Sequence, residues 1–132
     1  MPYLIDTHVL IWSIIDQKAF SKKVLSILQD PGNVIYVSAL SFWEISLKFG
    51  LEKLAIKGFR PENLPVLCKE IGFQVLSLSP DLCATYHQLS ASYHRDPFDK
   101  MLIWQAIQGN YTLLSKDKKM EQYRPEGLRV LW

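Results

Sequence analysis

Five acidic residues stand at positions where their carboxylates could do chemistry, because each lies at the start of a predicted helix or just after a predicted strand: Asp6, Glu44, Asp96, Asp99 and Asp117. Carboxylate oxygens are preferred ligands of hard divalent cations such as Mg²⁺. A bound Mg²⁺ or Mn²⁺ can lower the pKa of a water and stabilise charge on a phosphoryl group. No Cys–His ligand pattern accompanies the acids, which favours these metals over zinc. The reaction class that this pattern favours is phosphodiester hydrolysis.

Helix capping is a competing explanation for several of these acids. Asp is a preferred N-cap residue, and Pro is common at the first helical position. The stretch "DPFD" at 96–99 therefore fits a capped helix start, and Asp6 and Asp117 each precede a predicted helix. The stretch "SFWE" at 41–44 fits a capping box. For these acids, capping and chemistry both remain open at this level.

Two acids are harder to explain as caps. Asp99 and Glu44 each lie on an apolar helix face that should point at the core, formed by Leu102, Ile103 and Ala106 in the first case and by Leu40, Leu47 and Leu51 in the second. A carboxylate at such a place costs free energy unless it is paired, neutralised or bound to metal. Arg95 and Lys116 are the nearby cations, and two positive charges cannot neutralise five acids. A bound divalent metal would supply the missing positive charge.

Short apolar runs alternate with helical patterns along the chain. The predicted strands are 3–6, 34–38, 73–78, 111–115 and 128–132, and the predicted helices are 7–15, 21–30, 39–54, 60–72, 79–90, 96–109 and 118–123. The strands are continuously apolar, which is typical of a parallel sheet covered by helices on both faces. Ligands bind such sheets at the carboxyl ends of the strands. This rule places three of the acids near the site, namely Asp6, Glu44 and Asp117. It does not by itself place the helix start at 96–99, which precedes a strand.

The composition fits one intracellular domain. The chain has 132 residues with a net charge of +2, and 48% of its residues are hydrophobic. Neither a membrane-spanning run nor a signal peptide is recognisable, so we expect a cytoplasmic protein without a membrane partner. Cys68 and Cys83 are expected to be reduced thiols. The mildly basic charge permits a nucleic-acid partner without requiring one.

Four segments together carry a family resemblance: "YLIDTHVLIW", "VSALSFWEISLK", "HRDPFDKMLIWQA" and "LLSKD". In this order, over nearly the whole chain, they resemble the PIN-domain ribonucleases, and more narrowly the VapC-type toxins of VapBC toxin–antitoxin pairs. The resemblance implies a single domain over residues 1–132. Its fold would be an α/β, PIN-like three-layer α/β/α sandwich around a central, mainly parallel sheet.

The resemblance also assigns roles to residues. It implies that four acids are catalytic and hold Mg²⁺ or Mn²⁺, namely Asp6, Glu44, Asp99 and Asp117. Asp96 matches an acid that is common in this branch but not general to the family, and it is ranked below these four as a metal ligand. Thr7 and Ser115 match polar residues that help to orient the site. Arg95 and Lys116 could contact the RNA backbone.

The implied function is a metal-dependent endoribonuclease that acts as a toxin. Its implied partners are an RNA substrate, a small VapB-type antitoxin protein and a second copy of the chain in a homodimer. A non-catalytic module is the alternative. It would be either a receiver-like signalling domain, whose phospho-acceptor should end the third strand, or an inactive PIN domain retained for binding.

Overall fold

The sheet has five strands, each short and largely apolar. A computed structural model describes residues 1–90 and 96–132. Its strands are β1 Pro2–Ile5, β2 Val34–Ser38, β3 Gln74–Leu76, β4 Thr112–Leu114 and β5 Arg129–Leu131. They are ordered β3-β2-β1-β4-β5, and every neighbouring pair is parallel. The predicted α/β fold with a mainly parallel sheet is confirmed.

Helices connect the strands. The α-helices are α1 Thr7–Ile15, α2 Lys22–Gln29, α3 Ala39–Gly50, α4 Leu64–Ile71, α5 Pro80–Thr85 and α6 Pro97–Gly109. Short 3-10 helices lie at Gln17–Ala19, Pro61–Asn63, Tyr86–Gln88 and Lys118–Glu126. Within residues 1–90 and 96–132, no helix combines the length and apolar character needed to cross a membrane.

The sheet separates two apolar cores, which makes the fold a three-layer sandwich. Along β1, Tyr3 and Ile5 pack into one core together with helices α1, α2 and α4. Leu4, between them, packs into the other core with α6 and the 3-10 helix at 118–126. Successive side chains of a strand point to opposite faces, so both faces of β1 must be apolar. This requirement explains the uninterrupted apolar strands of the sequence.

The strand register aligns three polar residues at one edge of the sheet. Ile5 pairs with Val37 of β2 and with Leu114 of β4. The residues that follow these partners are Asp6, Ser38 and Ser115, and all three are buried. Polar groups are rarely buried without a structural or chemical reason. The carboxyl edge of β2-β1-β4 is therefore the place to look for chemistry.

Several predicted helix limits are wrong. Helix α3 ends at Gly50 rather than at residue 54, because the chain turns there and Glu52 adopts a left-handed φ of 57°. The predicted helix at 79–90 is α-helical only to Thr85. The segment after β4 is a 3-10 helix that continues through Pro125. Such limits depend on local hydrogen bonds, which a periodicity pattern does not contain.

Candidate active site

Asp6 is the buried centre of the polar edge. It caps α1, with its Oδ1 accepting a hydrogen bond of 2.9 Å from the backbone N–H of Val9. Burial raises the pKa of the Asp6 carboxyl above its ordinary value of 3.8, and the charge of Asp117 adds to this rise. A hydrogen bond from the side chain of Ser115, the bond with Val9 and the charge of His8 oppose it. The capping prediction for Asp6 is confirmed, and its raised pKa shows a carboxylate held in an unfavourable environment.

Asp6, Asp99 and Asp117 line one cavity of about 350 Å³, together with His8, Trp12, Lys116 and Met120. The three carboxylates come from three separate parts of the chain: the end of β1, the first turn of α6 and the loop after β4. Lys116 lies over the Trp12 ring, with its Nζ 6.0 Å from the ring centre. The cavity therefore combines three acids, one cation and an aromatic wall.

Asp117 is fixed by its neighbours in the loop after β4. Its carboxylate accepts a hydrogen bond of 2.9 Å from the Lys119 backbone N–H, so it caps the 3-10 helix. Its own backbone N–H donates to Ser115 Oγ at 3.1 Å. Ser115 also bonds Asp6. This serine thus interacts with both strand-end acids.

The start of α6 separates the two acids of "DPFD". Asp96 is the N-cap, with its Oδ1 accepting from the Phe98 backbone N–H at 2.9 Å. Asp99 lies in the first turn on the predicted face, whose apolar members are buried: Leu102, Ile103 and Ala106. The cap holds the helix start, and the helix start places Asp99 at the cavity.

Glu44 lies in the middle of α3, which Ser38 caps, so the capping-box explanation for "SFWE" is wrong. Glu44 is 4% exposed. Its Oε1 accepts a hydrogen bond of 2.6 Å from Thr7 Oγ1, and its Oε2 pairs with Lys48 Nζ at 2.7 Å. The predicted apolar face is wrong in part, since Leu47 and Leu51 are exposed while Leu40 is buried. The buried face of α3 is narrower and turns Glu44 towards Thr7.

Lys48, which pairs with Glu44, was not among the residues predicted from the sequence. It stands one turn after Glu44, an i,i+4 acid–base spacing that favours a pair on a helix surface. The hydrogen bond to Glu44 is the main cause that raises the pKa of Lys48, and the charges of Asp96 and Asp99 contribute as well. The i,i+4 spacing was visible in the sequence and could have identified this cation.

Thr7 and Ser41 complete a polar chain behind Asp6. Thr7 Oγ1 lies 3.0 Å from Ser41 Oγ and 2.6 Å from Glu44 Oε1. Thr7 has one hydroxyl proton, and the carboxylate is the stronger acceptor. Thr7 therefore donates to Glu44 and accepts from Ser41. This order fixes the first residue of α1, directly after the capping Asp6.

The donor set suits a hard divalent cation that keeps part of its water shell. Asp6, Asp99 and Asp117 offer oxygen ligands around one cavity. In the part of the chain that the structure describes, however, no three His, Cys, Asp or Glu side chains are close enough together to form a ready metal cage. Mg²⁺ is commonly held by one or two carboxylates plus water. The donor set of the cavity is therefore of the kind that Mg²⁺ or Mn²⁺ takes.

The structure thus brings most of the predicted residues to one edge of the sheet. The cavity is lined by four of them: Asp6, Asp99, Asp117 and Lys116. Thr7 donates a hydrogen bond to Glu44, and Ser115 accepts one from the Asp117 backbone N–H. Asp96 caps the helix that carries Asp99, and Glu44 bonds Thr7 and pairs with Lys48. Arg95 falls outside the described residues, and its contact with RNA stays a prediction.

Comparison with known proteins places this arrangement in a family. A family model described as the PIN domain matches residues 3–125. The chain belongs to the PIN domain family. The resemblance drawn from the sequence segments is thereby confirmed for nearly the whole chain.

Relatives of this PIN domain share its length and its fold. It is 23% identical to "Ribonuclease VapC22" of Mycobacterium tuberculosis over 129 residues, which cover 98% of this chain and 97% of that protein. A VapBC2 structure from Rickettsia felis, bound to a DNA fragment from its promoter, matches with a TM-score of 0.69 and 16% identity over 99% of this chain and 98% of that one. VapBC-1 from Haemophilus influenzae matches with a TM-score of 0.68 and 17% identity, over 99% and 97%.

Proposed function

We propose that this PIN domain is an endoribonuclease and the toxin component of a toxin–antitoxin pair. The observation that carries the proposal is the single cavity into which β1, α6 and the loop after β4 bring Asp6, Asp99 and Asp117. The similarity to a VapC ribonuclease over almost the full length of both chains supports the same substrate class. The reaction is hydrolysis of an RNA phosphodiester bond.

Asp6, Asp99 and Asp117 would hold Mg²⁺ or Mn²⁺ in this cavity, partly through water. When bound, the cation supplies the Lewis-acid chemistry of phosphodiester hydrolysis. Ser115 orients the Asp6 carboxylate, and the Asp96 cap fixes the helix turn that carries Asp99. Lys116, at the cavity wall, offers a positive charge to the RNA backbone. Glu44 would act as a direct ligand only after release from Lys48.

The decisive experiment is RNA cleavage by the purified chain with Asp99→Asn as the test variant. Asp99 is not the cap of α6, so the amide should leave the helix start intact. Loss of an outer-shell partner of a metal already costs about 10–100-fold, so loss of a direct ligand should cost at least about 100-fold. Cleavage of structured RNA is measured in Mn²⁺, in Mg²⁺ and in EDTA. Asp81→Asn, in the first turn of α5, is the matched control and should cleave like wild type.

Two results would contradict the proposal. One is RNA cleavage by Asp99→Asn at the wild-type rate, and the other is wild-type cleavage that survives EDTA unchanged. The first result would show that Asp99 is not part of the active site. The second would show that cleavage does not need a metal. Circular dichroism of both variants checks that a loss of cleavage is not a loss of fold.

A protein partner is the second part of the proposed function. The structures that match this chain include VapBC complexes. On α3 and its C-cap, the exposed apolar residues Trp43, Leu47 and Leu51 follow one another at intervals of four, which places them on one side of the helix. Such a surface is typical of a protein interface. We propose two partners, a VapB-type antitoxin and a second copy of the chain. Light scattering of the purified chain tests the homodimer. Light scattering after co-expression with the neighbouring short reading frame tests the antitoxin.

The receiver-like alternative receives no support from β3. That strand ends at Leu76, and the next residues are Ser77, Leu78 and Ser79. Asp81, the nearest acid, lies in the first turn of α5 and is exposed. β3 is also an edge strand, two strands away from Asp6. The inactive-PIN alternative is decided by the cleavage experiment.

A further inference from the structure

We propose that Lys48 acts as a built-in cation that takes the place of a second divalent metal at Glu44, so that the site holds a single metal ion. This inference rests on the proposed function, because it concerns the same acidic edge. Lys48 would be a positioning residue, since it acts through Glu44 rather than on the substrate.

Both oxygens of the Glu44 carboxylate accept hydrogen bonds from the chain itself. Oε1 accepts from Thr7 at 2.6 Å, and Oε2 binds Lys48 Nζ at 2.7 Å. The Glu44 side chain is 6% exposed, so little room is left for other ligands. A buried carboxylate needs such partners, and here the chain itself supplies them.

The negative charges of acids on a second helix also act on Lys48. It stands on α3, and the charges of Asp96 and Asp99 at the start of α6 act on it in addition to that of Glu44. Its side chain is 41% exposed, which leaves the ammonium group partly hydrated while it reaches the buried acid. Lys48 therefore offsets part of the negative charge where α3 and α6 meet.

Glu44 is separate from the acids that line the cavity. Asp6, Asp99 and Asp117 line the cavity, whereas Glu44 is not among its lining residues and is joined to the cavity edge through Thr7. A divalent ion at Glu44 would have to displace Lys48 or sit close to its positive charge. Like charges at a few ångströms repel strongly where water is partly excluded. Asp6, Asp99 and Asp117 would hold the single ion of the proposed function.

The test is the number of Mn²⁺ ions bound per chain, measured by electron paramagnetic resonance of free Mn²⁺ during titration. We expect one ion for wild type. For Lys48→Met, which keeps the length and apolar stem of the side chain, we expect two, because Glu44 is released. The double variant Glu44→Gln/Lys48→Met should return to one. Lys69→Met, an exposed lysine of α4, is the matched control and should bind one ion.

The outcomes separate this inference from the proposed function. Two ions in wild type, or one ion in a folded Lys48→Met, would overturn the role of Lys48 and leave metal-dependent cleavage standing. No Mn²⁺ binding by wild type would overturn both. If Lys48→Met does not fold, wild type and Glu44→Gln still decide, because two ions in wild type that fall to one in Glu44→Gln would show that Glu44 is a ligand.

Discussion

Asp6 caps a helix and faces a cavity at the same time. As a cap it satisfies the Val9 backbone N–H, which stabilises the start of α1. As a buried carboxylate beside Asp117 it opposes folding, because its charged form has lost most of its hydration. An uncharged residue could cap equally well, so capping alone does not explain why an acid stands here. A cation in the cavity would account for it.

We predict that Asp6→Asn unfolds at a higher temperature than wild type at pH 7 in EDTA. Asn caps a helix about as well as Asp and carries no charge. Burial raises the pKa of Asp6 above 3.8, so the folded chain binds this proton more tightly than the unfolded chain. Wild-type stability should therefore fall as the pH rises from about 4 through the raised pKa. Asp6→Asn should lack this contribution to the fall.

Thermal unfolding followed by circular dichroism between pH 4 and pH 8 measures both effects. Asp16→Asn is a suitable control, because Asp16 also accepts a backbone N–H at a helix start but is exposed. A lower melting temperature for Asp6→Asn at pH 7 in EDTA would show that the charged form of Asp6 helps the fold without metal.

The helices and strands followed from the sequence where a local signal was strong. Asp6 with Thr7 marked the start of α1, Gly72 marked the end of α4, and Asp96 with Pro97 marked the start of α6. The site was predicted less completely than the fold. The buried side of α3 was misjudged, because apolar spacing alone does not show that Leu47 and Leu51 face solvent. The Thr7–Glu44 bond joins residues 37 positions apart, and no local pattern contains it.

At the start of α6 we predict that Asp96→Ala destabilises the fold by about 1 kcal/mol and that Asp96→Asn costs far less. Asp96 accepts the Phe98 N–H as the N-cap, and an amide oxygen can accept the same bond. Urea unfolding of the two variants measures the difference. Equal stability of the two would show that this cap contributes little.

Asp96→Asn also separates capping from chemistry at this helix. If the residue acts mainly as a cap, the Asn variant should retain most of the RNA cleavage, whereas Asp99→Asn should lose it. A loss of cleavage as large as that of Asp99→Asn, in a variant that unfolds like wild type, would make Asp96 a member of the metal set.

The whole molecule assembles the cavity from segments that are far apart in the chain. Strand β1 lies at the centre of the order β3-β2-β1-β4-β5. Its two neighbours begin at Val34 and Thr112, and their carboxyl ends meet it at Asp6. Site and sheet therefore form together, and any cation that binds the cavity acids must stabilise the entire fold.

We predict that Mn²⁺ raises the melting temperature of wild type and has little effect on Asp99→Asn. A ligand that binds only the folded chain adds about 2.7 kcal/mol at about 100 times its Kd. Differential scanning fluorimetry over a Mn²⁺ titration measures the shift, and NaCl at the same ionic strength controls for salt. An equal shift in both proteins would place the stabilising ion elsewhere.

The pairing of β1 with β4 has a consequence for the chain during its synthesis. Tyr3 pairs with Thr112, and Ser115 and Asp117 follow that strand. A contact between residues so distant forms late, since the loop between them must first be made and closed. A growing chain on the ribosome therefore lacks part of the acidic cavity until residues 112–117 have emerged. We expect a nascent chain to be unable to cleave RNA before that segment has paired with β1.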